Sequence, residues 1–379
     1  MSERTGRAPE LRRLAVIGVG LMGGSLALAA RDRWPGLHVA GYDVESAALE
    51  EAASLGVITQ TCGSAAEAAA GADLVVISTP VRSIPHLLRE CLGAAPAPWL
   101  VTDLGSTKTG MLSRIEPEQR SSVVGGHPMC GAETAGVKYA RPDLFRGATY
   151  FLCAPRELLA QKYHFMHSFV QRVGANPMPI EAKAHDRIMA LISHVPHVIA
   201  NVIMSEVGGF ELGGRRALYC AGPSFRDLTR VAGANPQMWR EIFMENREAL
   251  TSSLRAVADD IGRFCDALAR GDEEAVKESI GTAVRYRREL LQKGDIEAAT
   301  LYQVTVRIPD QPGLLSRVMT ALGDTGVNIE DLSLHHYSRR AGGDLVLYVA
   351  GEQIANSTVS VLEGLGYPAV AIPASEASD

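Results

Sequence analysis

At 379 residues, with 46% hydrophobic and 21% charged side chains, the chain has the composition of a globular protein and is too long for one ordinary core, so two or three domains are expected. Its net charge of −6 argues against nucleic acid or an anionic membrane surface as the main partner, since neither would be drawn to that field. No apolar run approaches the ~18 residues of a membrane span, Met1 to Arg13 lacks the apolar core of a signal peptide, and the six cysteines are scattered without a C-x-x-C, which points to reduced thiols in a cytoplasm.

The first elements come in the order of a dinucleotide-binding fold. Leu14 to Gly18 is a short strand pattern, the glycine turn G-V-G-L-M-G runs from Gly18 to Gly23, and S-L-A-L-A-A-R continues as a helix. Gly18 permits the tight turn, Gly20 lets backbone amides approach a pyrophosphate, Gly23 allows close helix packing, and the helix start at Leu21 and Met22 faces the anion. A second strand, Leu37 to Asp43, ends in an acid twenty residues after Gly23, where a carboxylate would take the adenosine ribose hydroxyls. With Glu45 next and no nearby Arg for a 2′-phosphate, the expected cofactor is NAD. Asp43 could at the same time cap the helix beginning near Ser46.

The alternation continues with a helix from Glu45 to Leu55, a strand from Leu74 to Ser78, a helix from Ile84 to Leu92 and a strand from Trp99 to Leu104. Such βαβ units predict a largely parallel sheet with ligands at the carboxyl ends of its strands. Three polar loops leave those ends: Ser78-Thr79-Pro80, which joins the cofactor set, Asp103 to Lys108 around Ser106, and the stretch after Val123-Val124. That last stretch, G-G-H-P-M-C-G, puts His127 at a strand exit where Gly125, Gly126 and Gly131 would let the backbone approach a ligand. An imidazole with a pKa near ~6.5 accepts a proton at neutral pH, so His127 is placed like a catalytic base, the alternative being a histidine satisfied by a backbone carbonyl. Ser106 is either the N-cap of a helix from Thr107 to Ile115 or a partner of the substrate hydroxyl or of the base. Strands from Thr149 to Cys153 and Pro177 to Ile180, around a helix from Glu157 to Val173, close a first domain over residues 1–180.

From Glu181 to Gln292 the pattern is helical, and the domain is expected to cover 181–296. Ala184 to Ala200 carries His185, His194 and His197 in an apolar segment broken by Pro196. No neighbouring thiols or carboxylates complete a metal shell there, and no metal is expected. Arg226 and Arg230, in G-P-S-F-R-D-L-T-R, suit a bidentate grip on carboxylates or, alternatively, surface ion pairs with Asp227 or Glu241. Two amphipathic stretches, Arg247 to Ala269 and Asp272 to Gln292, have the character of helices that pack against a second subunit.

After a break at Gly294-Asp295, residues 297–379 change style. A strand (Leu301 to Ile308), the turn D-Q-P-G, a helix (Leu314 to Leu322), a hairpin (Asn328 to Tyr337, Asp344 to Val349), a helix (Ile354 to Leu365) and a strand (Ala369 to Ile372) give the βαββαβ order of a ferredoxin-like sandwich, with a disordered tail from Pro373 to Asp379.

With these pieces placed, the chain resembles the prephenate and arogenate dehydrogenase family of tyrosine biosynthesis over nearly its whole length. The matching stretches are G-V-G-L-M-G-G-S, V-T-D-L-G-S-T-K, G-G-H-P-M-C-G-A-E, H-D-R-I-M-A-L-I-S-H-V-P-H and F-R-D-L-T-R-V-A with P-Q-M-W. The resemblance implies an α/β architecture of a Rossmann-type domain, a helical domain that forms a homodimer, and a C-terminal ACT domain. It also implies NAD-dependent oxidative decarboxylation of prephenate to 4-hydroxyphenylpyruvate, with arogenate as the alternative substrate. His127 would take the proton of the ring hydroxyl, Ser106 would orient hydroxyl and base, His197 and Arg230 look like substrate-binding groups, and His185 like a supporting one. Arg226, Glu133 and Trp239 would line the entrance, Trp239 serving a neighbouring active site. In the ACT-like module, Asp310 and Gly313 of D-Q-P-G with Gly326, Asn328 and Ile329 of G-V-N-I stand where an effector binds, and tyrosine is the expected feedback effector. Two rivals are a β-hydroxyacid dehydrogenase using Lys183 and a catalytically silent NAD- and amino-acid-sensing protein. One departure from the family pattern is Gly222-Pro223-Ser224, which stiffens the loop before Phe225.

Overall fold

The computed structural model describes residues 9–131, 134–292, 301–338 and 342–373; Glu133, the break at Gly294-Asp295 and the tail after Pro373 lie outside them. Two units result, Met1–Val257 and Ala258–Asp379. In the first, β1 (Arg13–Ile17), α1 (Leu21–Arg33), β2 (His38–Tyr42), α2 (Ser46–Ser54), β3 (Gln60–Thr61), α3 (Ala65–Ala69), β4 (Leu74–Ile77), α4 (Ile84–Leu92), β5 (Val101–Asp103), α5 (Thr109–Ser113), β6 (Val123–Pro128), β7 (Thr149–Cys153), α6 (Ala160–Arg172) and β8 (Asn176–Pro179) follow in order. They build one sheet, β3-β2-β1-β4-β5-β6-β7-β8, parallel throughout except where β7 runs against β6.

Strand alternation explains the layers. Leu14 and Val16 of β1 pack into the core beneath α1, α2 and α6, while Ala15 and Ile17 face the one beneath α3, α4 and α5. Burial on both faces is why these strands are apolar runs rather than alternating ones. The short β3 and the alanine-rich α3 were not expected from the sequence: two and five residues carry no readable period. Strand order reverses between β1 and β4, which opens a crevice at their carboxyl ends.

The helical region begins with α7 (Ala182–Met189), a π-helical turn (Ala190–His194) and α8 (Val195–Gly209). Pro196 therefore does not break the segment, as expected, but sits in the first turn of α8. A proline there would clash with the carbonyl four residues back and leave it unbonded, and the wider π turn absorbs that defect. The expectation that no apolar run reaches membrane length is also corrected. Ala182–Gly209 is 28 residues long with a hydropathy of 1.6 over its most apolar window, long and apolar enough to cross a membrane. It nevertheless carries the buried polar groups His185, Asp186, His194 and His197, which have hydrogen-bonding partners on other protein elements or on the helix itself. A hairpin of β9 (Glu211–Leu212) and β10 (Arg215–Arg216), then α9 (Pro223–Thr229), α10 (Pro236–Glu245) and α11 (Arg247–Arg270) complete the region, the unit division falling within α11.

The second unit holds α12 (Glu273–Gln292) and the sandwich β11 (Leu301–Ile308), α13 (Leu314–Asp324), β12 (Asp331–Ser338), β13 (Gly342–Ala350), α14 (Glu352–Gly364) and β14 (Ala369–Pro373). Its antiparallel sheet has the order β12-β13-β11-β14, and Val318, Leu322, Ala355 and Leu362 of the two helices cover Val304, Leu345 and Leu347. This is the ferredoxin-like arrangement the βαββαβ pattern predicts.

Candidate active site

The crevice between β1 and β4 has the form of a phosphate cradle. Gly18 adopts φ +93, and a Cβ there would lie 2.3 Å from the Ser78 carbonyl, so only glycine lets the first turn touch the β4 loop. Gly20 faces open space instead, and as the N-cap it starts α1 without a side-chain cap or an acid in the first turn, leaving the amides of Leu21 and Met22 for an anion. Asp43 accepts from the Val19 amide at 2.9 Å and the Glu45 amide at 3.1 Å. It thus ties the β2 exit to the glycine turn and keeps further lone pairs, but it does not cap α2, whose N-cap is Glu45. Thr79 Oγ1 is buried without a partner among the described residues, at the rim formed by Ser78, Thr79 and Pro80.

Beyond this crevice, β5 and β6 hold a buried polar knot. Lys108, fully buried, forms an ion pair with Asp103 and donates to the Gly126 carbonyl at 2.7 Å. Asp103 also accepts from the amides of Gly105 (2.9 Å) and Gly126 (3.1 Å). A Cβ on Gly126 would lie 2.5 Å from the Asp103 carbonyl and one on Gly125 would lie 3.0 Å from Lys108. These two glycines make room for the knot. The knot fixes the turn that carries Ser106 and the end of β6 that carries His127. Ser106 is half-buried and does not start a helix: α5 begins at Thr109, and its first amides are capped from outside by Asp186, to Lys108 N and Thr109 N at 2.8 Å each.

His127 projects from β6 opposite Phe151 of β7 and is half-buried. Its Nδ1 stands 2.9 Å from Nε2 of His185, and Nδ1 of His185 stands 2.9 Å from Asp186 Oδ1. Burial, then the nearby His185, Lys108 and His194, push the His127 pKa well below its ordinary value, with Asp186 opposing, so the ring is neutral at physiological pH. Burial works against the Asp186 carboxylate, but the hydrogen bonds from His185, Thr109 and Lys108 outweigh it and hold its pKa below the usual value.

His194 and His197 belong to the same region. Asn246 bridges His194 Nδ1 (3.1 Å) and the Asp186 carbonyl (2.8 Å), and burial lowers the His194 pKa to about 4. His197 accepts or shares a hydrogen with Asn201 at 3.2 Å, while its Nε2 is buried with no partner among the described residues, a polar atom left for a ligand. Trp239 stacks on His197 of the same chain with centroids 3.7 Å apart. Arg226 and Arg230 lie at the end of α9 and are exposed. Lys183 is exposed and lines a cleft with Arg187, Arg247, Asp186 and Asn246.

Comparison with known proteins gives this arrangement a family. The nucleotide-binding domain of prephenate dehydrogenase matches residues 26–178, its dimerization domain matches 181–282, and an ACT domain matches 302–366. The chain belongs to the prephenate dehydrogenase family. It is 29% identical over 326 residues to prephenate dehydrogenase of Bacillus subtilis (strain 168), covering 85% of this chain and 87% of that one. It is also 29% identical to cyclohexadienyl dehydrogenase of Zymomonas mobilis, covering 75% of this chain and 98% of that one. Prephenate dehydrogenase of Aquifex aeolicus, solved in complex with hydroxyphenyl propionate and NAD+, superimposes with a TM-score of 0.70 at 26% identity, over 75% of this chain and all 100% of that one. As a member of this family the chain is a dehydrogenase with the family's nucleotide-binding domain.

Sequence reading missed Asp186, Lys108, Asn246 and the partner role of His194. A signal existed for two of them: Asp103 and Lys108 stand five apart across a glycine turn at the end of a core strand, where opposite charges can be buried only as a pair. In the ACT domain, Asp310 and Gly313 precede α13 while Gly326, Asn328 and Ile329 follow it. The two groups stand at opposite ends of an 11-residue helix, roughly 16 Å apart along its axis.

Proposed function

We propose that this dehydrogenase of the prephenate family oxidatively decarboxylates prephenate to 4-hydroxyphenylpyruvate, with tyrosine as its feedback effector. The cofactor is NAD, which fits the open Gly20 face, the uncapped start of α1 and the Asp43 carboxylate at the ribose position. Bound there, it supplies the hydride acceptor. The chain's own residues then have to remove one proton and hold a dianion. His127, neutral and at the carboxyl end of β6, takes the ring hydroxyl proton at its free nitrogen; the hydride leaves the same carbon, loss of the ring carboxylate as CO2 completes the aromatic ring, and the phenolate oxygen takes the proton back from the His127 imidazolium. Ser106, at the neighbouring strand exit, orients the hydroxyl, and His197 Nε2 with Arg230 and Arg226 receive the substrate's carboxylates. The observation that carries this reading is the neutral His127 anchored by His185 beside a nucleotide cradle.

His127→Asn tests it: NAD binding is retained and turnover falls by about 10²–10⁴-fold, the usual worth of a positioned base. Near-normal turnover removes His127 from that role. A second reading, arogenate as substrate, is kept open by the cyclohexadienyl dehydrogenase relative. Steady-state rates of NADH formation with each compound in parallel separate the two. The β-hydroxyacid alternative depends on Lys183: Lys183→Met with full activity removes it, and loss of activity would favour it.

The working form we infer is a homodimer. Its support is the match to a dimerization domain together with exposed apolar side chains: Val202, Phe210, Leu212 and Tyr219 in the first unit, Ile261, Leu268, Ile280 and Leu290 in the second. The same need for cover explains why a helix of membrane-like hydropathy is only 33% buried in the single chain.

A further inference from the structure

Two rings and a carboxylate stand in series at the β6 exit, and their order dictates where the protons sit. Asp186 is ionised and accepts: Oδ1 takes the Lys108 amide and His185 Nδ1, Oδ2 takes the Thr109 amide. A carboxylate facing His185 Nδ1 requires the proton on that nitrogen. His185 Nε2 is then an acceptor, and the hydrogen in the 2.9 Å contact with His127 must sit on His127 Nδ1. His127 Nε2 is left bare. Without the carboxylate, the His185 ring can equally carry its proton on Nε2, which would place the His127 proton on the nitrogen that has to act as base.

We propose that Asp186 is a positioning residue for the reaction: acting through His185, it fixes His127 as the tautomer whose Nε2 lone pair faces the substrate hydroxyl, and with its other contacts it holds the Ser106 turn at the correct distance. The inference rests on the reading of His127 as the base. As His127 Nε2 takes the hydroxyl proton, the new imidazolium keeps its Nδ1 hydrogen on His185, and the negative charge of Asp186 offsets the positive one. No proton leaves the His127 ring in that step.

The charged and titratable groups facing this series are Lys108 and Asp103 from the β5–α5 turn, His194 from the π turn, and His185 and Asp186 from α7. Asn246, neutral, holds the Asp186 backbone from the α10–α11 junction, and Phe151 closes the remaining side of His185. Lys108 and Asp103 are ion-paired with each other beside this series.

The test uses the full-length protein with ¹⁵N-labelled histidine, the His127 signals being assigned from His127→Asn. At pH 7.5 the expected spectrum has His127 and His185 protonated on Nδ1 and unprotonated on Nε2; a His127 protonated on Nε2 overturns the proposal on the unmodified protein. Asp186→Asn is expected to lower kcat by about 10²-fold with the Kd for NAD within about twofold, and to move the acid limb of kcat/KM to lower pH, since a charge that favours His127 protonation is gone. His185→Gln keeps an acceptor for His127 Nδ1–H but severs the link, so Asp186→Asn should cost little more in that background. Full additivity of the two losses, or an unmoved acid limb, assigns Asp186 to the turn alone. Should His127→Asn itself turn over normally, the reading of the base fails; an inactive His127→Asn with a normal Asp186→Asn sinks only this inference.

Discussion

Lys108 shows how much one side chain decides here. Its ammonium is inaccessible to solvent, and Asp103 and the Gly126 carbonyl are its partners. Lys108→Met leaves the Asp103 carboxylate buried and uncompensated, and should cost about 3–5 kcal/mol of stability, read from the denaturant midpoint; a loss below about 1 kcal/mol would mean the pair is replaceable packing. The same charge depresses the His127 pKa. Since the base works deprotonated and its pKa lies below 6.5, kcat/KM should stay flat from neutrality down to about pH 6.5 and fall only on further acidification. An acid limb centred above 6.5 contradicts that environment. Arg230 is different: its exposure in the single chain licenses only a modest effect, and Arg230→Ala should raise KM about tenfold, with an unchanged KM returning it to surface chemistry.

At the scale of elements, the α7–π–α8 helix carries His185, Asp186, His194 and His197, delivered to the sheet edge by one continuous rod. His194 is neutral inside it. The unfolded chain takes a proton near pH 6.5 and the folded one only near 4, so stability is unaffected above 6.5 and is lost as pH falls between the two, by roughly 3 kcal/mol at the end. Thermal midpoints measured from pH 7.5 down to 5 should show this slope, and His194→Asn should flatten it; an equal slope in the variant would place the linkage elsewhere. What was legible in the sequence follows from range. The Gly18–Gly23 turn, the strands and the ACT order declare themselves within a few residues, because turn chemistry and periodicity are local. Ser106 as a helix cap was wrong because its competitor, Asp186, lies some eighty residues on and acts only after folding. Pro196 was misread as a break for a related reason: a π turn upstream relieves it, and nothing in the apolar pattern announces one.

For the whole molecule, one proposed activity draws on two kinds of unit. Truncation after Glu297 should leave dehydrogenation intact and abolish inhibition by tyrosine; inhibition that survives the cut would locate the effector in the catalytic unit. The ACT geometry adds a requirement. Since α13 holds the Asp310–Gly313 loop and the Gly326–Ile329 loop at opposite ends, one amino acid cannot touch both in one chain. If both loops grip the effector, each must come from a different copy, and the inhibitor then doubles as glue. Its apparent potency becomes a function of enzyme concentration, weakening on dilution toward the dissociation constant of the pair, and tyrosine itself should tighten that association by the same factor.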